Sequence, residues 1–97
     1  MHVIFNNNEI EKICTNPDYA KKKYGKNMAY KIFERINFMI STKDVETMIR
    51  IRYGRCHKLK GDREGQYSLD LVQPYRLIFE SYDGYVVAKI IEIVDYY

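Results

Sequence analysis

The run Cys56-His57-Lys58-Leu59-Lys60-Gly61-Asp62-Arg63-Glu64-Gly65 holds the densest group of ionisable side chains in the sequence. His57 supplies an imidazole, a group that ordinarily titrates near about pH 6.5 and so carries protons at neutrality. Lys58, Lys60 and Arg63 supply cations, arginine as a planar fork and lysine as a point charge. Gly61 and Gly65 permit a tight loop around them. A plainer role fits the same residues: a hydrated hairpin connection whose charges keep an edge strand soluble. Arg76 lies inside an alternating strand pattern, where a charge needs a reason, and Asp70 or Glu80 could pair with it. Asp95-Tyr96-Tyr97 follows the last apolar run.

The formal charge of +3, from 16 Lys and Arg against 13 Asp and Glu, is too weak to name a partner. Its distribution is more informative. Lys21, Lys22, Lys23, Lys26, Lys31 and Arg35 stand near Glu34 alone, and Arg50, Arg52, Arg55, Lys58, Lys60 and Arg63 near Asp62 alone. Two basic segments suggest an acidic partner, either nucleic acid or an acidic protein surface. The first also reads as an ordinary solvated helix face, whereas Tyr53 and His57 interleave the second. Cys14, Cys56, His57 and His2 lack paired ligand spacing, and residues 56 and 57 would point to opposite faces of a strand, so no metal site is expected. No apolar run reaches the ~20 residues of a membrane span, and no signal-peptide pattern opens the sequence. A cytoplasmic protein without membrane contact is expected, its thiols packed rather than reactive.

The elements that position these residues follow from periodicity. Ninety-seven residues, 46% hydrophobic and 30% charged with five Gly and two Pro, form a single globular domain over 1–97. Ten tyrosines and no tryptophan supply flat faces that also hydrogen-bond. Val3–Phe5 reads as a strand, followed by a turn with Asn8 as a possible N-cap. A helix spans 9–15, and Pro17 can open a second. From Tyr19 to Ile40 apolar residues recur every three or four positions, the clearest amphipathic helix, with a kink or break possible at Gly25. Thr42 to Met48 fits a short further turn. Beyond residue 50 the period becomes two: strands are expected over 66–72, 75–81 and 86–94, the last central, with Asp83-Gly84 a type I′ hairpin signal. The expected architecture is α+β, an N-terminal strand and helices packed on one face of a three-strand antiparallel meander.

The run "CHKLKGDREGQYSLDL", then "PYRLIFE" and "IIEIVDYY", closely resembles the HigB family of bacterial type II toxins, within the RelE/ParE superfamily. The resemblance is strongest over 56–97, and the upstream elements occur in the matching order. It implies a RelE-like microbial RNase fold and a ribosome-dependent mRNA interferase. Such an enzyme cuts translated mRNA without metal or cofactor, by attack of a 2′-hydroxyl on the adjacent phosphorus. It also implies a HigA-like helix-turn-helix antitoxin, a 70S ribosome with its mRNA as target, and operator DNA reached only through the antitoxin complex.

By position, the resemblance places the active-site histidine and lysine on His57 and Lys60, the strand arginine on Arg76, and the terminal acid and aromatic on Asp95 and Tyr96. Arg63 matches the motif as a phosphate or rRNA ligand. Lys21, Lys22, Lys23, Lys26 and Lys58 are expected to contact RNA phosphates. The reaction needs a base for the 2′-hydroxyl, an acid for the leaving 5′-oxygen and positive charge at the phosphorus. His57 suits the first two, Lys60 and Arg76 the third. Asp95 could accept a proton or orient its neighbours, and Tyr96 could stack on a base. The family usually ends D-Y-H; here Tyr97 stands in the histidine's place, a phenol with an ordinary pKa of about 10. A non-catalytic toxin of the same fold, acting on a protein such as DNA gyrase, is the alternative the superfamily offers.

Overall fold

The computed structural model describes residues 1–95. In chain order it contains β1 (His2–Phe5), α1 (Asn8–Thr15), α2 (Pro17–Tyr24), α3 (Lys26–Ser41), α4 (Val45–Arg50), β2 (His57–Lys58), β3 (Gln66–Asp70), β4 (Tyr75–Tyr82) and β5 (Val87–Asp95). Single 3₁₀ turns at Tyr53–Arg55 and Gly61–Arg63 flank β2.

Each helix boundary has a local cause. Asn7, not Asn8, caps α1: it is extended, and its Oδ1 accepts the Ile10 N–H at 2.9 Å. Asn16 caps α2 by accepting from the Tyr19 N–H at 3.2 Å, with Pro17 in the first turn. The amphipathic pattern over 19–40 is divided at Gly25, whose φ of 92° is open to glycine and closed to most L side chains. The short fourth helix is capped by Asp44. Asp44 Oδ1 accepts from the Thr47 N–H at 2.8 Å and the Thr47 hydroxyl at 2.7 Å. The Thr42 hydroxyl donates to the Phe38 carbonyl at 2.7 Å, closing α3.

The sheet has five strands in the order β1-β5-β4-β3-β2, two more than the expected meander. β1 lies parallel to β5, reached by a crossover through the helices, and all other neighbours are antiparallel. β2 is only two residues long, too short to leave a period in the sequence. The β4–β5 hairpin spans four residues, 83–86, instead of a two-residue turn, with left-handed backbone at Asp83, Gly84 and Tyr85. A β-bulge at Ile91 changes the phase of β5: Phe79 faces Ile90 while Ile78 faces Glu92. Ile90 and Ile93 therefore both turn to the helices, which explains the nearly continuous apolar run read there.

One face of the sheet carries the core. Leu69, Leu77, Phe79 and Ile90 are fully buried against Ile32, Met39, Val45 and Met48. Each such side chain contributes about 1.5–3 kcal/mol by leaving water. Both cysteines are buried in this layer, which pushes their thiols up to about 12 and makes them packing residues, as expected. Among the described residues no helix is long and apolar enough to cross a membrane.

Candidate active site

The opposite face of the sheet is polar. Strand pairing sets His57 opposite Ser68, Ser68 opposite Ile78, and Asp70 opposite Arg76, so these side chains share one face. His57 and Arg76 lie two strand spacings apart and two residues along, roughly 12 Å between Cα atoms. Long side chains can meet around a single phosphate over that span. Asp70 sits between two guanidinium groups, with Arg55 Nε at 3.3 Å and Arg76 Nη1 at 3.4 Å. Asp70 and Arg76 are 10% and 17% exposed in their side chains, whereas Arg55 is 68% exposed. The carboxylate thus anchors one sheltered arginine and one that projects into solvent.

The segment leading into β2 is built to present these groups. Arg52, Gly54 and Arg55 all have left-handed backbone, with φ of 57°, 54° and 55°. For the two arginines that conformation costs about 1–2 kcal/mol each, which the surroundings must offset. Gly54 is required: a Cβ there would stand 2.7 Å from Leu69 Cδ1 and 3.0 Å from Arg35 Cζ. Arg35 comes from α3, donates through Nε to the Asp70 carbonyl at 2.8 Å, and lies over the Tyr53 ring at 4.7 Å. Phe38 stacks on the other aromatic partner, Tyr53, at a centroid distance of 3.6 Å. The helix layer therefore clamps the 52–57 segment to the end of β3. The His57 ring completes it, with Nδ1 2.7 Å from the Arg55 carbonyl.

An open cleft of about 570 Å³ follows this segment, lined by Ile49, Arg50, Arg52, Arg55, Cys56 and His57. Lys58 and Lys60 line a separate cleft of about 400 Å³ with Leu59, Glu64, Gly65, Gln66 and Tyr67. The structure thus joins His57 to arginines that precede it in the chain, and sets Lys60 in a neighbouring cleft. Arg63 reaches across the polar face, donating to Gln66 Oε1 and Glu92 Oε2, both at 2.9 Å. Ile78, which lies between those strands, is fully buried. Lys23 pairs with Glu9 at 2.6 Å, and Lys21, Lys22 and Lys26 are exposed at the α2–α3 corner. Tyr24 packs edge-on against Tyr75 at 5.4 Å, so that corner adjoins the start of β4. Asp95 is exposed at the end of β5 and pairs in register with Tyr75, on the strand phase opposite to Arg76. Tyr96 and Tyr97 lie outside the described residues.

Asp70, Arg55 and Arg35 were not singled out by motif. Asp70 left a trace, since an acid in mid-strand, placed symmetrically with Arg76 about the 71–75 turn, is unfavourable unless paired. Arg35 left a weaker one, as a cation beside the apolar stripe of α3.

No protein-family model matches the chain, and the comparison with curated proteins finds no match. Solved structures do match. A YoeB/ParE toxin from Agrobacterium tumefaciens is 19% identical with a TM-score of 0.59, covering 100% of both chains. YoeB from Staphylococcus aureus, solved as a complex with YefM and as a dimer, is 23% identical with a TM-score of 0.63, covering 100% of this chain and 98% of the other. The α+β fold of this chain is the one those toxins share. The likeness to HigB in particular rests on the sequence motif.

Proposed function

We propose that this protein is the toxin of a type II toxin–antitoxin pair, an endoribonuclease that cleaves mRNA on the translating ribosome without a metal or cofactor. The observation that carries the reading is the polar sheet face, where His57 and the Arg76–Asp70–Arg55 group converge beside a basic cleft. Fold likeness to YoeB/ParE toxins and the motif over 56–97 support it.

The geometry suggests how the chemistry divides. A carbonyl oxygen only accepts hydrogen bonds, so His57 Nδ1 donates to the Arg55 carbonyl. The neutral ring then keeps Nε2 as an acceptor, the state a general base requires. His57 takes the proton of the attacking 2′-hydroxyl. The oxygen bonds to phosphorus, the bond to the 5′-oxygen breaks, and a 2′,3′-cyclic phosphate and a 5′-hydroxyl end result. Arg76 stabilises the charge that develops on the phosphate, and Lys60 approaches from its own cleft. Asp95 ends β5 beside the start of β4, and the roles given to Asp95, Tyr96 and Tyr97 are stacking on a base and proton donation to the 5′-oxygen. Lys21, Lys22, Lys23, Lys26, Lys58 and Arg63 are counterparts for ribosomal or messenger phosphates. A HigA-like antitoxin silences the toxin.

Mapping the 5′ ends of cellular mRNA after brief induction tests the reading. Cuts at in-frame codon positions, abolished in Arg76→Ala and strongly reduced in His57→Ala or on removal of Tyr97, are expected. Halted replication with intact mRNA would contradict it and favour a protein target such as gyrase.

A further inference from the structure

The cleft before β2 is more basic than one cleavage centre requires. Arg50, Arg52, Arg55 and His57 line it, and no carboxylate does. Arg55 meets Asp70 through Nε at 3.3 Å while its side chain stays 68% exposed, so most of the guanidinium is open to a ligand. Arg52 and Arg55 hold left-handed backbone, fixed by the close approach at Gly54 and by the Arg35–Tyr53–Phe38 stack. A backbone held in a sparsely populated conformation in order to project two arginines is a feature of binding sites.

We infer that this cleft seats a second phosphate of the RNA strand, the neighbour of the scissile one, and that Arg55 is the residue that joins the two positions. The inference rests on the reading that the protein handles RNA. Asp70 fixes the geometry: one oxygen faces the sheltered Arg76 and the other faces Arg55, so the solvent-exposed Arg55 is held at a set distance from Arg76. A planar fork restrained along one edge loses little freedom when its other edge engages a phosphate. Arg55 is thus a strand-positioning residue: it aligns the nucleotide beside the cut, while His57 and Arg76 act at the cut itself.

The test uses the full chain and a short RNA oligonucleotide, 2′-O-methylated throughout so that it cannot be cleaved, with binding followed by fluorescence anisotropy across a series of KCl concentrations. Arg55→Gln is expected to weaken binding about tenfold and to lower the slope of log affinity against log salt by about 0.7, one single-strand phosphate contact. Arg55→Lys, which keeps the charge and the fold but loses the fork, should keep the slope and recover only part of the affinity. Lys43→Gln, an equal change of charge away from the site, should leave both unchanged. Equal affinity and slope in Arg55→Gln and the unaltered protein, or no salt-sensitive RNA binding by the unaltered protein, would overturn the inference. Cleavage on programmed ribosomes separates the two readings. Arg55-dependent RNA binding without any cleavage sinks the nuclease reading and keeps the phosphate seat at Arg55. Cleavage and binding that are both indifferent to Arg55→Gln do the reverse.

Discussion

The two faces of the sheet are built from the same strands and follow opposite rules. Toward the helices, Leu69, Leu77, Phe79 and Ile90 are fully buried in an apolar layer. On the other side, Ser68, Asp70, Arg76 and Glu92 alternate with them, Ser68 is as deeply buried as its apolar neighbours, and its Oγ has no hydrogen-bond partner among the described residues. A fold selected only for stability would not bury an unpaired hydroxyl beside a carboxylate flanked by two arginines. The first face holds the sheet in register, and the second spends some of that stability on fixed charge.

That contrast can be broken from either side. Phe79→Ala should have the largest effect on stability, about 3–5 kcal/mol in urea unfolding, because the helix face cannot collapse around the cavity. Asp70→Asn should cost less, about 1–3 kcal/mol, while reducing RNA cleavage as far as Arg76→Ala does, since both arginines lose their anchor. If Asp70→Asn instead destabilised as much as Phe79→Ala with cleavage intact, the polar face would be structural. Ser68→Ala should leave the unfolding free energy unchanged or raise it by up to about 1 kcal/mol, because it removes an unsatisfied buried hydroxyl.

The smallest effect belongs to an exposed ion pair between α1 and α2. Glu9 accepts from Lys23 and from the Tyr19 hydroxyl, and these bonds hold its carboxyl below the ordinary carboxylate range. A lowered pKa in the folded state contributes stability above the ordinary value, and that contribution is lost as the pH falls through the lowered one. Glu9→Gln should therefore lower the midpoint slightly at neutral pH and converge with the unaltered protein in acid. A difference that grew in acid would contradict the assignment.

The helix-facing half was largely legible in the sequence. The apolar recurrence of α3 and the alternation through Tyr67, Leu69, Leu77 and Phe79 each encode one buried face, and Asn-Pro-Asp and Gly25 mark the breaks between helices. Pairing between distant segments was not legible: nothing local in His2–Phe5 specifies parallel alignment with β5, and His57–Lys58 is too short for a period. The site was read in part. Motif resemblance singled out His57 and Arg76, which strand register places on one face. It did not show that Lys60 lines a neighbouring cleft, nor that Asp70 is the hub of the charges. That role depends on Arg55, whose direction is set by a left-handed backbone and by Arg35 from a different layer, a relation no window of neighbouring residues contains.

The most direct test of the central claim is the chemistry of the RNA ends left on purified ribosomes translating a defined mRNA. The expected result is a discrete cut in the decoding region, 5′-hydroxyl ends that accept phosphate from polynucleotide kinase without prior dephosphorylation, and 2′,3′-cyclic phosphate on the upstream fragment, all lost in Arg76→Ala. Intact mRNA, or fragments bearing 5′-phosphate and 3′-hydroxyl ends, would contradict it.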